Sequence, residues 1–181
     1  MKIRKLYKIE SAHIVQGAFS RRCAYSYHGH SGKIEVFFTA DKLDSAGMIY
    51  DFGAMKNTIG AFIDAFDHAV HLWWADVEGV KFFTEANERY VILPCNPTAE
   101  NYSLLFRDCI NEILSCSEFS NGEVGVRCTG VRYHETDTGY AESDESDPVK
   151  FHLKDLTFSD AIFDELPLTL RDTLEDIKIW M

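Results

Sequence analysis

Residues 28–39 read His28-Gly29-His30-Ser31-Gly32-Lys33-Ile34-Glu35-Val36-Phe37-Phe38-Thr39. From Lys33 onward the stretch alternates, with Ile34, Val36 and Phe38 on one parity, as on a half-buried strand. Residues two apart on extended backbone point to the same side, so the imidazoles of His28 and His30 can reach one ion together. Gly29 between them lets neighbours approach the chain closely.

Upstream, Lys2-Ile3-Arg4-Lys5-Leu6-Tyr7-Lys8-Ile9 places apolar residues at short intervals and predicts a first strand. His13 falls near its end. A simple hairpin would bring His13 beside His28-Gly29-His30, across a polar, Gly-containing loop from Ile14 to Tyr27. Three neutral imidazoles leave the fourth position of a tetrahedral zinc open, which is the arrangement of a catalytic site.

Downstream the period changes. Met55, Ile59, Phe62, Ile63 and Phe66 form a stripe at helical spacing, so a first helix is expected to end near Asp67-His68. Residues 69–95 carry Trp73-Trp74, Phe82-Phe83 and Tyr90 without a clean period and read as an insertion covering apolar surface. Asn96-Pro97 predicts a second helix, with Asn96 as the cap and the proline at the first position. Leu105, Cys109 and Ile113, beside Phe106, Ile110 and Leu114, continue it toward Cys116.

Asn121-Gly122 marks a turn. Alternation then returns at Val126 and Cys128, and switches parity at Val131, Tyr133 and Glu135, which predicts a bulge around Gly130. Glu142 to Asp147 reads as an exposed hairpin tip or linker, and 149–153 as a short strand. One or two amphipathic helices should follow, interrupted by Pro167. The element order implies an α+β domain over 1–155, an antiparallel sheet backed by helices with an insertion at about 69–95, and a C-terminal extension over 156–181.

A 46% hydrophobic and 26% charged composition excludes a disordered or membrane class. The net charge of -11 argues against a nucleic-acid partner, because a basic footprint supplies most affinity for that backbone. Five cysteines without CxxC spacing suggest neither a disulfide framework nor a cysteine metal knuckle. Met1 to Ile9 lacks the apolar core of a secretory leader, so a cytoplasmic location is expected.

Among other reactive side chains, Cys23 follows Arg21-Arg22, and adjacent positive charge favours a thiolate able to act as base or nucleophile. Asp67-His68 pairs an acid with an imidazole, as in a proton shuttle or merely a solvated helix end. Glu135, closing an apolar strand, can accept two parallel hydrogen bonds from an amidine-like edge.

Taken in order, Ser11-Ala12-His13, Cys23 with His28-Gly29-His30, Gly47-Met48-Ile49-Tyr50-Asp51-Phe52, Asp67-His68, Pro97-Thr98-Ala99-Glu100-Asn101 and His134-Glu135-Thr136 resemble the 6-pyruvoyltetrahydropterin synthase and 6-carboxytetrahydropterin synthase family. The resemblance spans about residues 1–142. It implies a tunnelling fold, a four-stranded antiparallel sheet with two helices inserted between strands 2 and 3, assembled as a homo-oligomer with a hexamer as one candidate. Active sites would lie between subunits.

By matching position the resemblance makes His13, His28 and His30 zinc ligands, Cys23, Asp67 and His68 the catalytic proton carriers, and Glu135, Thr98 and Glu100 the holders of a pterin ring. The implied substrate is 7,8-dihydroneopterin triphosphate. The first reading is the 6-carboxytetrahydropterin synthase reaction of queuosine biosynthesis, releasing acetaldehyde and triphosphate. The second is 6-pyruvoyltetrahydropterin synthase, and the third a pterin- or purine-binding protein without turnover. Gly32, where relatives often place an aromatic residue, the long 69–95 segment and the tail beyond about 143 depart from the family pattern.

Overall fold

The alternating stretch becomes the strand β2 (His28–Thr39), which begins at the His-Gly-His triplet itself. The structure is a computed structural model and describes residues 1–179, with side chains through Glu175; 180 and 181, the end of the expected C-terminal extension, lie outside the described residues. The first strand, β1 (Ile3–His13), pairs antiparallel with β2 along its whole length, from Ile3 opposite Phe38 to His13 opposite His28. Beyond β2 lie β5 (Arg127–Thr136) and β6 (Gly139–Asp144), both antiparallel.

These four strands are the expected antiparallel sheet, and the 69–95 segment enlarges it. Instead of only covering the core, that segment forms β3 (Ala69–Trp73) and β4 (Tyr90–Leu93), joined by the helix α3 (Val77–Ala86). Both strands run parallel, β3 beside the end of β1 and β4 beside β3. A two-residue strand, β7 (Thr157–Phe158), closes the edge, giving seven strands in the order β6-β5-β2-β1-β3-β4-β7. Tertiary pairing hides this unit from a periodicity reading, because each strand holds only four or five residues.

Helices cover one face. The stripe of Met55, Ile59, Phe62, Ile63 and Phe66 is buried as expected, but the helix is broken into a 3₁₀ turn (Ala54–Asn57) and α2 (Ile59–Asp64). The long α4 (Ala99–Ser115) lays Tyr102, Leu105, Phe106, Cys109, Ile110 and Ile113 against Ile9, Ile34, Val36, Val131 and Tyr133 of the sheet. Its cap is Thr98, not Asn96: the Thr98 hydroxyl accepts from the Asn101 N–H at 3.3 Å. Asn96 is instead engaged with Gln16, accepting from its N–H at 3.2 Å and donating to its carbonyl at 2.7 Å.

The predicted bulge is present. Phe37 faces Gly130 while Phe38 faces Cys128, so Thr129 is the extra residue that switches the parity of β5. Residues 142–144 belong to β6, and the hairpin tip lies earlier, at Asp137-Thr138. The expected strand at 149–153 does not form. The N–H groups of Lys150 and Phe151 bond to the buried Asp108 carboxylate at 2.8 and 3.1 Å, that of His152 to Asp155 at 2.9 Å and that of Leu153 to Glu112 at 2.8 Å, which takes these donors out of any ladder.

Of the one or two helices expected after the core, two form, α5 (Asp160–Glu165) and α6 (Leu168–Ile179), whose Ile162, Leu170 and Leu174 join the core. Among the described residues no helix is long and apolar enough to cross a membrane.

Candidate metal centre

The register of the β1–β2 hairpin assembles the centre. His13 stands directly opposite His28, and the two-residue step along β2 sets His30 on the same face. The three ring centroids lie 4.8, 4.9 and 5.1 Å apart, and one nitrogen from each ring falls within 4.8 Å of the others. Three imidazoles this close would repel one another as cations. Burial first, then the neighbouring His28 and His30, pushes the His13 pKa down to about 3, so its ring is neutral and offers a lone pair.

The donor set fits a divalent metal. Nε2 of His13 and Nε2 of His30 are buried without a hydrogen-bond partner, although buried polar nitrogens are ordinarily satisfied. Nδ1 of His28 donates to the Ser26 carbonyl at 2.9 Å, which leaves its Nε2 unprotonated, and the Pro97 carbonyl bonds to the His13 ring. Such outer bonds select the tautomer of a metal-ligating histidine. Residues His13, His28 and His30 would hold the ion, and three nitrogen ligands leave a position for substrate oxygen.

Glu135 arrives on the same face from β5. Its Oε1 lies 3.6 Å from His13 Nε2 and 3.9 Å from His30 Nε2, too long for hydrogen bonds, and a neutral His13 makes no ion pair with it. The carboxylate therefore forms part of the rim, half-open to solvent.

Cys23 sits half-buried in the one-turn helix α1 (Arg21–Ala24) on the loop between β1 and β2, with its thiol free. The loop is anchored by the Val15 N–H to the Cys23 carbonyl at 2.9 Å, by the Gln16–Asn96 bonds, and by Tyr27, whose hydroxyl donates to Asp76 at 3.1 Å. Thr98 and Glu100 open α4 next to Pro97, Thr98 serving as the cap and Glu100 exposed.

Asp67 and His68 lie at the chain's surface, beside the β1 backbone at Glu10. Asp67 accepts from the Glu10 N–H at 2.6 Å through Oδ1 and from His68 Nδ1 at 2.8 Å through Oδ2. Burial raises its pKa, and the bonds from Glu10 and His68 outweigh that and hold it below the usual carboxylate range. The His68 side chain is 74% exposed, and its φ of 53° is left-handed, a conformation the Asp67 and Glu10 bonds must hold. Among the described residues, no hydrogen bond or ion pair links this dyad to Cys23 or to the three imidazoles of the same chain.

The sequence pattern defining the 6-pyruvoyl tetrahydropterin synthase family matches residues 2–146. The chain belongs to that family. A relative named 6-carboxy-5,6,7,8-tetrahydropterin synthase from Helicobacter pylori strain J99 is 42% identical over 157 residues, spanning 86% of this chain and 78% of the relative. Among solved structures, an uncharacterized protein from Wolinella succinogenes superposes with a TM-score of 0.60 at 18% identity, covering 81% of this chain and 98% of that one. The 6-pyruvoyl tetrahydropterin synthase of Caenorhabditis elegans gives 0.52 at 19%, covering 81% and 96%. At these identities the two structures speak for the tunnelling fold.

In this member of the 6-pyruvoyl tetrahydropterin synthase family, the departure at Gly32 has a steric reason: a Cβ there would meet the Tyr133 hydroxyl at 2.9 Å and Ile9 at 3.2 Å, so Tyr133 fills the space a side chain would need. Two residues beside the centre, His71 and Tyr102, carried no sequence signal. His71, on β3, is fully buried, and burial pushes its pKa down to about 4. Tyr102 lies beneath His13, its ring nearly parallel to the imidazole (18°) at 6.4 Å. Within an apolar run such as Ala69-Val70-His71-Leu72-Trp73, a lone histidine has no periodic signature, and only the fold brings it near the centre. A cavity of about 660 Å³ between Tyr50, Asp51, Phe119 and Leu170 includes none of these residues.

Proposed function

We propose that the chain is a zinc-dependent 6-carboxy-5,6,7,8-tetrahydropterin synthase, a lyase acting on 7,8-dihydroneopterin triphosphate. The observation that carries this reading is the convergence of three imidazoles with two unpartnered buried nitrogens, on a chain 42% identical to a relative bearing that name. Substrate and water would yield 6-carboxytetrahydropterin, acetaldehyde and triphosphate, a step of queuosine biosynthesis.

His13, His28 and His30 hold the ion. When bound, it supplies a Lewis acid toward the substrate's side-chain hydroxyls, making protons on the adjacent carbons easier to remove. Cys23, as thiolate, takes one such proton. His68 delivers or accepts another at Nε2, because Nδ1 is committed to Asp67. Glu135 accepts from the pterin's ring N–H and exocyclic amine, and Thr98 and Glu100 complete the hold on the ring, so that it is oriented with its side chain toward the centre.

Because Asp67 and His68 are unlinked to the Cys23 of the same chain, this reading has a second copy supply them, in a homo-oligomer with sites between subunits. Incubating zinc-loaded protein with 7,8-dihydroneopterin triphosphate tests it. Release of acetaldehyde with a 6-carboxy product is expected. Triphosphate release with a pyruvoyl product and no acetaldehyde would assign the pyruvoyl reaction instead, and no conversion would leave only a binding role.

A further inference from the structure

A histidine with no exposed surface is an unusual choice for the third position of a short core strand. Leucine would fill similar space without desolvating two polar nitrogens. Both nitrogens of His71 are used. Nε2 lies 2.9 Å from the Phe66 carbonyl, and Nδ1 lies 2.5 Å from the Tyr102 hydroxyl. A carbonyl only accepts, so Nε2 carries the hydrogen and Nδ1 the lone pair. The Tyr102 hydroxyl must then donate to Nδ1, which fixes the phenol's position and its proton.

Tyr102 is itself 1% exposed and lies between two other parts of the centre. One neighbour is the His13 ring, nearly parallel to it, and another is Tyr133, stacked at 4.6 Å and 25°. The hydrogen bond from the Tyr102 hydroxyl to His71 anchors the far end of the ring and restrains its rotation and sliding. A fixed Tyr102 gives the His13 imidazole a fixed wall, leaving the Pro97 carbonyl to set the remaining orientation.

We propose that His71 is a positioning residue for the metal centre, holding Tyr102 so that the His13 imidazole presents Nε2 to the ion. The inference rests on the reading of His13, His28 and His30 as metal ligands. It assigns β3, part of the segment that enlarges the sheet, a role in building that centre.

The test is a titration of metal-stripped protein with Co(II), reading the d–d absorption band and, by chelator competition, the dissociation constant. Outer-shell partners of metal ligands typically carry about 10–100-fold in affinity. His71→Leu and Tyr102→Phe are each expected to weaken Co(II) binding by about tenfold, the low end of that range, and to shift the band. The double variant should be no weaker than either single one, since both remove the same bond. His71→Asn, which still offers Tyr102 an acceptor, should lie nearer to wild type.

Tyr102→Phe keeps the ring and removes one oxygen, so it carries the test if His71→Leu does not fold. A folded Tyr102→Phe with wild-type affinity and band would overturn the inference, as would losses that multiply in the double variant. Failure of the wild-type protein to bind Co(II) would overturn the ligand reading and this inference with it. Binding by wild type with unaltered variants overturns the inference alone.

Discussion

Replacing Asp67 by Asn changes a single atom and inverts the hydrogen-bond logic of the proposed proton carrier. In the native arrangement one carboxylate oxygen accepts from the Glu10 N–H at 2.6 Å and the other from His68 Nδ1 at 2.8 Å. Asparagine keeps one acceptor. The Glu10 N–H is fixed by strand geometry and claims it, so the amide NH₂ faces the imidazole. Nδ1 must then accept, the ring proton moves to Nε2, and the nitrogen needed as a base is blocked. A positioned acid–base group is worth roughly 10²–10⁴ in rate, so kcat should fall by about that factor, equivalent to about 2.7–5.4 kcal/mol in the barrier. Acetaldehyde release measured in parallel with metal content and circular dichroism checks it. The drop should appear in kcat, with metal content and fold preserved. A folded Asp67→Asn enzyme with kcat within threefold of wild type would refute the tautomer argument.

Cys23→Ala should abolish turnover and retain metal, while His28→Ala should lower the metal-to-protein ratio measured by elemental analysis; the opposite pattern would exchange the two assignments. Asp108→Asn leaves the Arg107 guanidinium, 4% exposed, without its carboxylate at 2.6 Å, and breaking a buried pair costs about 3–5 kcal/mol. Urea unfolding should show that loss, and adding Arg107→Met should recover much of it, because the amide oxygen still accepts from the N–H groups of Lys150 and Phe151. His71 predicts acid sensitivity: the unfolded chain takes up its proton below about pH 6.5, whereas the folded one resists until about pH 4. Stability should therefore fall as the pH is lowered from about 6.5 to about 4, by at most about 1.4 kcal/mol per unit from this residue, and the slope of urea midpoint against pH should be shallower in His71→Leu.

The centre was legible where its parts lie close in sequence or on regular strands. His28 and His30 share a face because a strand has period two, and His13 joins them because a hairpin reverses the chain near Tyr27. The parity switch between Cys128 and Val131 announced the bulge, since a strand buried on one face cannot change phase without an extra residue. By contrast, β3, β4 and β7 are too short to show a period, and the 149–153 stretch loses its ladder to two side-chain carboxylates on α4. Asn96 and Thr98 are both good caps by residue type, and the tie to Gln16 is what removes Asn96 from the choice.

Residue type and short-range spacing therefore singled out the candidate groups, three imidazoles, a thiol, an acid–histidine pair and a strand-end carboxylate, and the family resemblance gave them their expected roles. Tertiary structure decided that the three imidazoles converge with Glu135 beside them within one chain, and that Tyr102, bonded to His71, stands behind His13. The reason is that periodicity reports only which way a side chain points, while the partner it meets depends on strand order and on helices arriving from distant segments.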